Sequence, residues 1–314
     1  MFYTILVSKK KRLNLNSNNL KLMKSPIHFL SFILIIVLVA GCTSSSTSNE
    51  KSKEELAEEK TIHDLEKLLE DLPDPSLVPF TLKSIGAEFD IEHINSLDRM
   101  DSYKGNTDKM ALNMGVYASD ISYLAAYGHE DDCIAYLKTS HKMAEFLGDS
   151  AIYSEDDLNE FRGHIADQNE GEIAKILGKL FLETSLKMEE DHHMTMAGLA
   201  LTGSFVEGLY QAVITLETYP NTPENERLLE PLVKIVLGEE QALLDIIEVL
   251  NDLPFDDTIA DMITELSILD KLYKGDLKEI EEQMQSDPNF VLTKDVMRDI
   301  TLEVKRVRQR ITEG

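Results

Sequence analysis

Positive charge is scarce in this chain: 31 Lys and Arg stand against 57 Asp and Glu, a formal charge of −26 at pH 7. A surface of that sign repels nucleic acid and anionic lipid, so neither is an expected partner, whereas cations and basic proteins are attracted. Cysteine occurs only twice, at Cys42 and Cys133, too few for a disulfide framework, so the core has to carry the stability. HExxH, CxxC, a nucleophile elbow, a phosphate loop and a paired-glycine fingerprint are all missing, which leaves no sequence argument for an enzyme. Period-two alternation is also scarce, and with it the pattern that half-buried strands require.

What the chain has instead is apolar spacing near 3.6 residues, repeated along its length. The fold class expected is all-α, a multi-helix bundle of antiparallel helical hairpins. Helices are predicted near 52–71, 76–87, 107–127, 130–147, 155–167, 171–190, 193–217, 223–250, 257–273, 276–285 and 294–312. Ser154 with Asp157 fits a capping pair, and Thr222-Pro223-Glu224 offers a cap, a first-turn proline and an acid favoured by the helix dipole. "LPDPSLVP", "LGDS", "TYPNTP" and "DLPFDD" punctuate the helices.

Two helices are unusually patterned. From Lys109 to Gly128, Met110, Met114, Tyr117, Ile121 and Leu124 form a large apolar stripe beside a small one of Ala111, Gly115, Ala118, Ser122 and Ala125. Large residues fill grooves and small ones admit a neighbouring backbone, so this helix is expected at the centre with neighbours on two sides. The segment Ala197 to Leu216 repeats the arrangement, with Leu199, Val206, Leu209 and Val213 large and Ser204, Gly208 and Ala212 small. At an offset of 88, Gly115 aligns with Gly203, Tyr117 with Phe205 and Ile121 with Leu209, which suggests an internal duplication.

The N-terminus has a different composition. An apolar run from Ile27 to Ala40, broken by His28 and Ser31, is shorter than the roughly 20 residues of a spanning helix and suits a secretory signal. Val39-Ala40-Gly41-Cys42 resembles the lipobox of bacterial lipoproteins. That resemblance implies cleavage before Cys42, lipid on its sulfur, acylation of its new amino group and a membrane anchor of two or three chains. Residues 1–22 then form an extension, with translation expected from Met23; residues 23–41 are the signal, 42–60 the lipidated cysteine and a flexible tether, and 61–314 the helical domain. Loss of residues 1–41 removes six bases and no acids, leaving 25 bases against 57 acids, a formal −32. Thr43 after the cysteine resembles an outer-membrane sorting pattern, with the periplasmic and surface faces both open.

"LPDPSLVPFTLKSIGAEFD" followed by "ALNMGVYASDISYLAAYGHEDDCIAYLKTSHKMAEFLG" resembles a family of helical lipoproteins from Bacteroidota, over roughly Leu72 to Leu216. The resemblance implies a compartment and a helical fold. No catalytic pattern comes with it.

Three places could hold chemistry. "MEEDHHMTM" gathers Glu189, His192 and His193, residue types that bind transition metals, but adjacent histidines lie about 100° apart on a helix, and a solvated junction between two helices is the plainer explanation. Asp120 and Glu207 each sit in a helix that looks buried, where a carboxylate needs a partner. Their matched places in the repeat could bring them together with Tyr117, Tyr123 and Tyr210 around a pocket for a metal, a cationic ligand or a shared proton. The plain alternative has Asp120 bonded to tyrosine or backbone and Glu207 exposed. Cys133 and His141 read as packing residues, the thiol having no basic neighbour to activate it. Lys305, Arg306, Arg308 and Arg310 fit a helix C-terminus through the dipole, docking onto the protein's own acidic surface, or a partner-binding tail. The expected role is a noncatalytic envelope protein that binds or scaffolds a partner protein, with a metal- or small-ligand receptor as the competing class.

Overall fold

A long helix needs its backbone ends satisfied and its apolar faces covered, and the central helices here show how both are done. The computed structural model describes residues 77–147, 155–169, 171–173, 175–176, 193–219, 222, 225–254, 256–287 and 297–313, all within one unit spanning 51–314. Ten α-helices run through the described residues: α1 (Leu77–Ser84), α2 (Thr107–Ala126), α3 (Glu130–Phe146), α4 (Glu155–Ala166), α5 (His193–Thr218), α6 (Glu226–Gly238), α7 (Glu240–Asp252), α8 (Asp257–Leu272), α9 (Lys278–Ser286) and α10 (Arg298–Glu313). No strand occurs among them, so the class is an all-α helical bundle.

Asn106 starts α2 by accepting the Lys109 N–H at 2.9 Å. Gly128 ends it: its φ of +78° lets the His129 N–H reach the Leu124 carbonyl at 2.9 Å. Between these caps every residue from Met110 to Ala126 is buried, so the helix is surrounded rather than two-sided. Chain reversal at His129 brings α3 back along α2, where Tyr136 meets Tyr117 edge to face. Cys133 faces the Ile121 carbonyl, and burial raises its thiol pKa, so the packing expectation holds for it.

The second long helix, α5, packs along α2 at backbone contact. A Cβ on Gly115 would lie 1.8 Å from the Ala200 carbonyl oxygen, and one on Gly203 would lie 1.9 Å from that of Leu112. With the offset of 88, Ala200 is the counterpart of Leu112, so the two approaches are one contact made twice, as across a two-fold axis. Partners climb together along both helices, from Leu112 with Gly203 to Ser119 with Gln211, so α2 and α5 run parallel. By length and composition α5 could cross a bilayer, but its most apolar window is 89% buried within the structure. Thr202 and Thr215 satisfy their hydroxyls on carbonyls four residues back, at 2.8 and 2.6 Å.

The C-terminal α10 runs the other way along both. Its Ile311 carbonyl takes the Asn113 amide at 3.0 Å, Arg308 reaches Glu207 and Lys305 reaches Glu217.

Two expectations are corrected. The single helix predicted over 223–250 is two, α6 and α7, separated at Gly238–Glu239 where glycine lowers the helical preference. Its start is Glu226, with no side-chain capping bond from Asn225; the Thr222 carbonyl accepts the Asn225 N–H at 2.9 Å. Conversely, the gap between the predicted helices 257–273 and 276–285 is bridged by a π turn, Tyr273–Leu277. The helix predicted at 52–71, most of that at 171–190 and Ser154 lie outside the described residues, as do the signal, Cys42 and the tether.

Candidate functional site

Asp120 and Glu207 come together, and both side chains are fully buried. Parallel packing of α2 and α5 places them there: Gln211, one turn beyond Glu207, donates its Nε2 to Asp120 Oδ1 at 3.1 Å, and the Glu207 charge acts on Asp120. The other Asp120 oxygen accepts the backbone N–H of Asn95 at 3.0 Å.

Glu207 is held from a third helix. Arg308 of α10 donates Nε to Glu207 Oε2 and Nη2 to Oε1, both at 2.8 Å, a bidentate pair. Its guanidinium carbon stands 4.1 Å from the centroid of the Tyr210 ring. Burial acts against the Arg308 charge and the Glu207 carboxylate more than offsets it, so the guanidinium stays protonated. Burial first, and then the Glu207 charge, hold the Asp120 carboxyl well above the usual carboxylate range, against the pull of Arg308 and the Asn95 N–H.

Of the tyrosines predicted around this pair, Tyr117 and Tyr210 belong to it. Tyr117 donates its hydroxyl to the Ser96 carbonyl at 2.9 Å, beside Tyr136, which donates to the Asn95 carbonyl at 2.7 Å. Residues 95–96 are thus clamped by α2 and α3 through three side chains. Tyr123 serves a neighbouring cluster instead: its hydroxyl accepts the Asp90 N–H at 3.0 Å and approaches His93 Nδ1 at 3.4 Å. Burial lowers the His93 pKa and pushes the Tyr123 hydroxyl up to about 12, so both stay neutral at pH 7. The expectation of an exposed Glu207 is overturned, because Arg308 supplies the countercharge that burial demands.

Gln211, Asn95, Tyr136 and Arg308 were not singled out for this site by the sequence. For Arg308 a signal existed: it was one of four bases noted near the C-terminus, with docking onto acidic residues among the readings. All four dock so. Lys305 meets Glu217 at 2.9 Å, Arg306 meets Glu265 and Glu303, and Arg310 meets Glu265 and Asp261 at 2.5 Å each.

The histidine cluster cannot be placed. Glu189 and His192 lie outside the described residues, and His193 is known only as the first backbone position of α5. Among the described residues no group of three or more His, Cys, Asp and Glu is arranged to hold a metal ion. A cleft of about 240 Å³ lies between the π turn, α9 and the start of α10, lined by Leu272, Leu277, Ile280 and Ile300 with acids Asp276 and Glu279. Its Arg298 is paired with Asp299 at 3.3 Å.

The chain matches no family model, no curated protein and no solved structure.

Proposed function

We propose that this protein is a noncatalytic helical scaffold of the cell envelope, held on the membrane by lipid at Cys42 and presenting a rigid, acidic bundle to a protein partner. The observation that carries the noncatalytic half is the saturation of the central acids by the protein itself. Glu207 has Arg308, Asp120 has Asn95 and Gln211, and all of these side chains knit helices together. A receptor for a metal or cationic ligand at Asp120, Glu207 and the tyrosines would first have to displace Arg308 from a bidentate, aromatic-backed seat.

Support for the anchor comes from the order of features before Cys42: a short basic start, an apolar core and small residues at 40 and 41. Acylation by two or three chains, at about 0.8 kcal/mol per buried methylene, gives a stable attachment. Thr43 and the resemblance to helical lipoproteins point to the outer membrane. The acidity of the mature chain favours a basic partner surface.

The experiment is a Cys42→Ser substitution in the producing cells, followed by membrane fractionation and labelling with a fatty acid. Wild type should be labelled and sediment with membranes, and the variant should be unlabelled. Equal labelling of the variant would overturn the anchor. Crosslinking of the wild type in intact envelopes should then capture a partner protein reproducibly.

A further inference from the structure

The seam where α2, α5 and α10 meet contains an imbalance of charge. Two carboxyls, Asp120 and Glu207, share it with one guanidinium, Arg308, and neither carboxyl is exposed at all. Among the described residues the other groups facing Asp120 are neutral at pH 7: Tyr117 on its own helix, Tyr210 and Gln211 on α5, Tyr136 on α3, Tyr103 from the 3₁₀ turn Leu97–Tyr103, and the amide of Asn95. His93, whose charge would act on Arg308, is held neutral by burial. With both carboxyls ionised, an unbalanced negative charge would sit in the core.

The hydrogen bonds distribute that charge unevenly. Both Glu207 oxygens accept from Arg308, and both Asp120 oxygens accept from Asn95 and Gln211. Gln211, one turn from Glu207 on α5, ties Asp120 to the same seam, and the Glu207 charge acts on Asp120 there. Two ionised carboxylates on one dry seam repel, whereas a protonated carboxyl carries no charge and keeps its remaining acceptor capacity. Their two helices are in backbone contact at Gly115 and Gly203, which keeps water from entering by a parting of α2 from α5 there.

We propose that Asp120 and Glu207 hold one proton between them at neutral pH, making this seam a proton-sensitive joint that tightens as the surroundings acidify and loosens as they turn alkaline. The proton resides on Asp120, since the guanidinium fork favours the charged form of Glu207. The sign follows from linkage. A carboxyl whose folded pKa is raised contributes stability that is fully present below the unfolded value of about 3.9 and is lost as pH rises toward the folded pKa. Glu239, pushed up to about 7 by burial between α6 and α7, adds a loss of the same sign, so wild type has to be compared with a variant rather than read alone.

The test uses the full chain in detergent. An infrared spectrum at pH 7, where surface acids are ionised and Glu239→Gln is carried in every sample because Glu239 is itself partly protonated there, should keep one protonated-carboxyl band that disappears in Asp120→Asn. Thermal or urea unfolding followed by circular dichroism should show the wild-type folded-to-unfolded ratio falling relative to that variant by up to about tenfold per pH unit above pH 4, until the folded pKa is passed. Glu207→Gln supplies a second route if Asp120→Asn does not fold: Asp120 then becomes the counterion of Arg308, and the band should be lost. Absence of the band from wild type at pH 7, its survival in either variant, or parallel pH profiles for wild type and Asp120→Asn would overturn the proposal.

Discussion

Arg308 is the side chain on which the centre of the protein turns. It is 13% exposed, pairs with a fully buried Glu207 and stacks on Tyr210. Arg308→Met should therefore cost about 3–5 kcal/mol, since it strands a buried carboxylate, and urea unfolding would measure it. Replacing Glu207 by Met at the same time should recover much of that loss, because an apolar pair of similar volume has no charge to desolvate. Little recovery in the double variant would show that Glu207 does more than neutralise Arg308. Both acids were legible as anomalies, carboxylates in otherwise apolar helices. Arg308 was harder, lying 101 positions beyond Glu207 in a helix end where bases are common for dipolar reasons alone. Sequence shows a buried charge readily and its distant partner poorly.

At the scale of elements, glycine separates helices that touch from helices that do not. Gly115→Ala or Gly203→Ala would drive a methyl into a carbonyl oxygen of the facing backbone, which cannot swing aside, and should cost about 3 kcal/mol or more. Gly163→Ala, in the exposed middle of α4 with nothing within 4 Å of the added carbon, should instead stabilise by about 0.5–1 kcal/mol. Thermal unfolding of the three variants checks both signs, and equal behaviour would mean that α2 and α5 do not meet as described. The small stripe of α2 announced a close approach through Gly115, and the offset of 88 paired Gly115 with Gly203; the stripe expected on α5, Ser204, Gly208 and Ala212, includes neither Ala200 nor Gly203, the residues of α5 in closest contact with Gly115 and Leu112. The helices' parallel direction was not legible, because stripes record that two faces meet and not which way the helices run. Neither were the 3₁₀ turns Ile91–His93 and Leu97–Tyr103. They are too short for a period, and the second is tied down by distant groups, as where Arg99 bonds Glu313 at 2.9 Å.

For the whole molecule, the long amphipathic helices made the all-α class legible from apolar period alone, since each such face has to be covered by another helix. The proposed anchor rests on the pattern before Cys42, which lies outside the described residues, and the proposed partner rests on charge. A surface of this acidity predicts that partner capture weakens as salt rises, with pull-downs at low and high ionic strength as the check. The most direct measurement is the intact mass of the protein taken gently from its own cell envelope under native conditions, with elemental analysis on the same sample. The account predicts a chain beginning at Cys42, carrying two or three acyl groups and no stoichiometric metal or small ligand. A chain that begins elsewhere without lipid, or a reproducible extra mass lost with Asp120→Asn, would contradict it.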